Sequence, residues 1–264
     1  MRFRRGVTVA FLLVFISPCF AEKPPIASEA ELAAISARGR LLYEYDQAAW
    51  HSTDAVQATR SSKENIGRYI ARKKDAGWEV VWGNLNEARD EFLIRVIATQ
   101  GASPSEFTVK SLDVPRGDAE FYLSAARAIE IAIKSYHGFA NRPYNTAVLP
   151  APAGQLYVYL VPAQTEDDYY PLGADVRFLV SADGNSIIET RQMHKSIIPK
   201  ASIPAGAQIA AGTHTHFLSD IPEDSDVLCV LTRKPSIPEY VGTQVALYVV
   251  NTDGSIRFVQ RTKK

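Results

Sequence analysis

The strongest constraint on this chain is a succession of short runs rich in β-branched and aromatic residues: WEVVWGNL, EFLIRVIATQ, SEFTVKSLDV, QLYVYLV, ADVRFLV, SIIETRQ, VALYVVN and SIRFVQR. Such residues fit a pleated, half-buried surface, and polar turns separate the runs. The first three read as an antiparallel meander. ADVRFLV and SIIETRQ are joined through Asp183-Gly184, and VALYVVN and SIRFVQR through Asp253-Gly254, the dipeptide that most strongly signals a hairpin. Helical spacing is rarer. Ser28 followed by Glu31 is a capping-box pattern and starts a short helix over residues 28–40. Ile66, Tyr69 and Ile70 predict a helix over residues 63–74, ended by Gly77, and LLYEYDQAAWHSTDAV fits either state. A stronger helix follows Asp118, with Phe121, Ala125, Ala128, Ile129, Ala132, Ile133 and Tyr136 on one face and Gly138 past its end. Strands dominate the second half, so the fold class is α+β rather than a doubly wound sheet. Pro143, Pro150 and Pro152 make residues 141–154 read as a linker.

The opening MRFRRGVTVAFLLVFISPCFA has the three-part layout of a secretory leader: basic residues, a short apolar run, then small residues ending at Ala21. The run is too short to span a bilayer, which takes about 20 apolar residues. Pro18 directly before Cys19 fits a lipoprotein box badly, so a lipid anchor is not expected. The chain is therefore read as exported, periplasmic or secreted, with no membrane span after removal of residues 1–21. Losing Arg2, Arg4 and Arg5 takes Lys+Arg from 29 to 26 against 29 Asp+Glu. No basic stripe for neutralising phosphates remains, which argues against nucleic acid as a partner. Cys229, in the apolar run DVLCVL, is then the one cysteine left and reads as a small buried hydrophobe.

Chemistry concentrates in GTHTHFLSDIPEDSDV, residues 212–227. A strand over residues 207–213 would lead into His214, and side chains two apart on a strand share a face. His214 and His216 would then lie about 6.5–7 Å apart at Cα and reach one ion. Asp226, opening a helix over residues 226–231, is the candidate third ligand, with Asp220, Glu223 and Asp224 as rivals that spacing does not reject. The same pattern also fits a solvated polar loop. His194 reads as the end of a strand rather than a fourth ligand. His51 reads as hydrogen-bonded structure beside Asp54, and His137 as a helix-end cation. Asp175, Arg177 and Arg191 suggest a cross-strand ion pair, and Glu166 to Tyr170 an exposed loop. No Gly-x-Gly and no Gly-x-Ser-x-Gly occurs, so neither a nucleotide cofactor nor a serine nucleophile has support.

His214-Thr215-His216 followed by Pro222-Glu223-Asp224-Ser225-Asp226 resembles the JAMM (MPN+) metalloprotease signature. The closing ALYVVNTDGSIRFV is similar to the end of an uncharacterised JAMM-like domain found at the C-terminus of bacterial Rhs-type proteins. The resemblance covers residues 117–264 at most, and only the ligand stretch is specific. It divides the mature chain into an N-terminal unit of helix plus antiparallel sheet, residues 22–116, and a mixed-sheet JAMM-like domain, residues 117–264. It implies zinc bound by His214, His216 and Asp226, and hydrolysis of an amide or isopeptide bond in a peptide or protein substrate. Without catalysis, it implies a module that binds a peptide or protein partner. Glu223 stands where the family has serine, and the strand expected to carry the general base, GQLYVYLV, has no acid. That leaves Glu223 as the candidate catalytic carboxylate.

Overall fold

A computed structural model describes residues 26–59, 66–138, 142–165, 170–198 and 208–262. The leader, Cys19 and residues 166–169 of the acidic stretch lie outside them. Its helices are α1 (Glu29–Thr59), α2 (Phe121–Ser135) and α3 (Asp224–Thr232). Its strands form three four-stranded sheets. The first is an antiparallel meander of β1 (Arg68–Lys74), β2 (Gly77–Leu85), β3 (Phe92–Gln100) and β4 (Phe107–Asp118). The second is antiparallel in the order β5 (Tyr144–Pro150), β6 (Leu156–Pro162), β7 (Val176–Val180) and β8 (Ile187–Gln192). The third runs β12 (Ile256–Arg261), β11 (Ala246–Val250), β10 (Glu239–Gly242) and β9 (Gly212–Thr215), and β9 pairs parallel with β10. The class is α+β, as the sequence suggests.

The central strands are apolar on both faces because both faces are covered. Val81, Val148, Val158 and Leu160 pack with α2, whereas Val80, Trp82, Leu149 and Tyr159 pack with α1. Strands buried on two sides read as continuous apolar runs instead of alternating ones. The core therefore crosses the boundary drawn at residues 116 and 117, which itself falls inside β4. Described residues from both sides of that boundary pack in the same two clusters.

Other expectations are corrected by packing. Ser28 and Glu31 do exchange capping bonds, since the Ser28 amide donates to Glu31 at 2.8 Å and the Glu31 amide to Ser28 Oγ at 3.2 Å. The helix they start runs on through the ambiguous segment to Thr59, because Leu42, Tyr45, Ala48 and Val56 all find core contacts. The described part of the helix expected over residues 63–74 is instead strand β1. Its Ile70 and Ala71 are buried on opposite sides, and it pairs in register with β2 from Arg68↔Gly83 to Lys74↔Gly77. The expected linker holds β5, where Pro143 and Pro150 mark the ends of the strand rather than break it. Asp118 does cap α2, as Oδ1 accepts from the Tyr122 amide at 2.9 Å.

The small third sheet is held by the two ends of the chain's helical layer. Leu32 of α1 meets Val245, Ala246 and Tyr248, while Val227 and Val230 of α3 meet Val241 and Val250. α3 crosses α1 so closely that a Cβ on Gly39 would stand 2.4 Å from Val227 Cβ. That crossing fixes the N-terminal end of α3, and α3 in turn carries an acid of the site.

Candidate metal centre

β9 alternates, with Thr213 and Thr215 outward and partly or fully exposed while His214 is buried. His214 faces Val241 across the parallel ladder, and the His216 amide extends that ladder by donating to Gly242 O at 2.8 Å. Both rings thus point to the same side, as the two-residue spacing predicts. The connection from β9 to β10 runs through α3, and Asp226 lies in the first turn of that helix. Its Oδ2 accepts the Glu223 amide at 2.7 Å, which caps the helix and fixes the carboxylate. Oδ1 is left facing the histidines.

The fourth member is His194, just past β8. His194, His214, His216 and Asp226 are all buried, and their ligand atoms lie within 4.8 Å of one another. His216 Nε2 is 2.9 Å from His194 Nε2 and 3.0 Å from His214 Nε2. Asp226 Oδ1 lies 3.2 Å from His194 Nε2 and 3.1 Å from His214 Nε2, and Oδ2 lies 3.3 Å from His216 Nε2. In spite of these approaches Oδ1 has no partner in hydrogen-bond geometry, an orphaned buried acceptor. A buried carboxylate oxygen left without a donor costs free energy unless something positive meets it.

Each ring is gripped from behind. His194 Nδ1 is 2.7 Å from Asp175 Oδ1, and His214 Nδ1 is 2.8 Å from Glu239 Oε1. His216 Nδ1 donates to Ile221 O at 2.9 Å, with Ser219 Oγ at 3.2 Å. A carbonyl oxygen only accepts, so Nδ1 of His216 carries a proton, and in the neutral ring the lone pair is on Nε2. The carboxylates behind the other two rings favour the same tautomer. Three lone pairs and a carboxylate oxygen then converge on a point that suits a metal ion.

The local field agrees. Burial works against a charged His214, yet the nearby Asp226 and Glu239 carboxylates outweigh it and raise its pKa to about 9. At His194 burial is likewise overcome, here by Asp175 and Asp226, which hold it well above the ordinary imidazole range. Asp226 is pushed up by burial but drawn further down by His216 and His194. The pocket thus favours positive charge at its centre.

The rival acids are engaged elsewhere. Glu223 accepts from Arg191 through both oxygens, at 2.7 and 2.9 Å, and burial raises its pKa. Asp224 takes Arg38, Arg177 and Tyr159, and Asp220 is exposed. Arg177 and Arg191 do face each other across β7 and β8, but each reaches to α3 rather than to Asp175, which corrects the expected cross-strand ion pair. His194 is also corrected, from strand end to cluster member. Its signal was the buried pair it makes with Asp175, invisible at a separation of 19 residues. Glu239 was missed as well, although a lone acid in the short apolar run IPEYVG is a usable hint. His51 stacks on Trp50 with ring centres 4.9 Å apart. Burial pushes the Cys229 thiol up to about 12, in keeping with a small inert hydrophobe.

Beside the cluster lies a cleft of about 280 Å3 onto which His194, His214 and His216 open, with the exposed Phe217 and Leu218 among its walls. No helix among the described residues is long and apolar enough to cross a membrane. No protein-family model, curated protein or solved structure matches this chain. What stands on geometry alone is a buried His3Asp cluster that could hold a metal ion.

Proposed function

We propose that this protein binds one divalent ion, zinc by its donor set, through His194, His214, His216 and Asp226. The ion serves to hold together a module that binds a peptide or protein partner. The carrying observation is that the fourth corner belongs to the protein. Zinc bonds of about 2.0–2.1 Å in a tetrahedron space the ligand atoms about 3.3–3.4 Å apart; five approaches here run from 2.9 to 3.3 Å, and all the ligand atoms lie within 4.8 Å of one another. Four protein ligands make a closed, structural type of site, whereas a catalytic one keeps a position for water. The neighbouring acids support this reading, because Asp175, Glu223 and Glu239 are each committed to a histidine or an arginine. Glu223 in particular is poorly placed to take a proton from a metal-bound water while both its oxygens hold Arg191.

A second reading has its own observation. The cleft at the three histidines would admit a fifth ligand, and hydrolysis of an amide or isopeptide bond of the JAMM type then becomes feasible. The leader-like pattern of residues 1–21 supports placing either activity outside the cytoplasm.

His194→Ala separates the two. With a closed centre, the purified protein carries about one zinc per chain and the variant binds it at least about tenfold more weakly. Unchanged zinc affinity in the variant, together with cleavage of an isopeptide-linked substrate by the parent protein, would overturn the closed reading in favour of an open hydrolytic site.

A further inference from the structure

The first two sheets meet along their edges, β1 bordering one and β5 the other. The Tyr69 hydroxyl of β1 donates to Thr146 O of β5 at 3.2 Å, and the Ala71 amide donates to the Tyr45 hydroxyl of α1, also at 3.2 Å. Next to these contacts lies a slot of about 350 Å3, with Arg72 and Lys73 on one edge, Val148 and Leu149 on the other, and Leu41 of α1 and Phe121 of α2 at its sides. It shares no residue with the metal centre. The segments outside the described residues that follow α1 and α2 begin well away from it. Thr59 stands about 27 Å from Leu41 along α1, and Ser135 about 21 Å from Phe121 along α2.

Apart from Arg72 and Lys73 the side chains of the wall are aliphatic or aromatic. Lys73 is paired with Glu44, but Arg72 makes no ion pair or side-chain hydrogen bond among the described residues. Its guanidinium carbon stands 4.6 Å from the centre of the Phe121 ring. Glu79, its neighbour across the ladder, is already taken: it accepts from the Tyr122 hydroxyl at 2.7 Å and pairs with Lys74 at 3.2 Å. Stacking on a ring uses the face of a guanidinium and leaves its N–H edge open to a planar, two-oxygen acceptor. The Ala71 amide turns out of β1, and by the alternation of an antiparallel ladder the Lys73 amide turns the same way. A cationic guest would be repelled, since two bases and no acid line the slot. A neutral hydrocarbon would fill it without engaging Arg72, and a phosphate head would bring more charge than one unpaired guanidinium meets. A carboxylate on an apolar tail uses both parts, because its two oxygens match two parallel N–H groups and its tail displaces water from apolar walls.

We propose that this slot binds an alkyl carboxylate of the fatty-acid type, with the tail between the two sheet edges and the head on Arg72. The full chain is titrated by calorimetry with octanoate, butyrate, octan-1-ol and octyl phosphate. Expected is one octanoate per chain with Kd of about 1 mM or lower, and binding at least about tenfold weaker for butyrate, which lacks four methylenes. Octan-1-ol, which has the tail without the charge, should bind at least about fivefold more weakly than octanoate. Arg72→Gln should bring octanoate down to the level of octan-1-ol, and Leu41→Trp, which fills the slot and keeps the arginine, should weaken both at least about tenfold. Circular dichroism and zinc content identical to the parent's show that both variants are folded. No octanoate binding at about 10 mM, or full binding by either variant, would overturn the site. Butyrate as tight as octanoate would remove the role of the tail, and octyl phosphate tighter than octanoate would overturn the carboxylate head.

Discussion

At the scale of single residues the centre is organised by what stands behind each imidazole. Glu239 shows this most plainly: one oxygen faces His214 Nδ1 at 2.8 Å and the other forms an ion pair with Arg233 at 2.7 Å. Gly212 makes the arrangement possible, because a Cβ there would lie 1.9 Å from Glu239 Oε2. Glu239→Gln keeps the volume but removes the charge and turns an amide N–H toward either His214 or Arg233. Metal affinity should fall about 10- to 100-fold, measured by competition with a chromogenic chelator, while the far-ultraviolet spectrum stays the same. Unchanged affinity would mean that Glu239 does not tune the ligand. That His214 and His216 share a face was legible in the sequence from their two-residue spacing on a strand, whereas Asp226 stood there beside Asp220, Glu223 and Asp224, which spacing did not reject. His194, Asp175 and Glu239 were not, since their roles depend on which strands end beside one another.

At the scale of elements, α3 is the piece that must be placed. Three acids at its start do so: Glu223 is held by Arg191 of β8, Asp224 by Arg38 of α1 and Arg177 of β7, and Asp226 faces the histidines. Against this, α1 offers Gly39, where Val227 and the Asp224 carbonyl leave no room for a side chain. Gly39→Val should therefore overpack the crossing and cost about 1–3 kcal/mol, seen as a lower urea midpoint. A midpoint equal to that of the parent would show that the two helices can separate without loss. The hairpins at Gly184 and Gly254, both with positive φ, were readable from Asp-Gly alone. Strand β1 and the long reach of α1 were not. RYIARKK has too few apolar positions to choose its own period, and its neighbours in the sheet choose for it.

For the whole molecule the ligand set bridges separate pieces. His194 follows the second sheet, His214 and His216 belong to the third, and Asp226 comes from the helix between β9 and β10. An ion there joins parts that otherwise meet through distinct apolar clusters. At free zinc a thousandfold above Kd, binding contributes about 4 kcal/mol, worth roughly 10 °C in Tm for a chain of this size. Calorimetry should show that drop on adding a chelator and its recovery on returning zinc. A melting point indifferent to both would remove the structural role of the ion. The α+β class was evident from the runs of strand-forming residues, whereas the packing of described residues from both sides of residue 116 into common clusters was not, because a core shared by two sheets and two helices leaves no trace in any local stretch of chain.

One carboxylate, Asp226, fastens the first turn of α3 with Oδ2 and presents Oδ1 to the histidines. Under the proposed metal binding, ion capture and ordering of that turn would be a single event. A copy whose turn has frayed offers only scattered imidazoles, and a copy that has loaded has, by that act, certified its own turn.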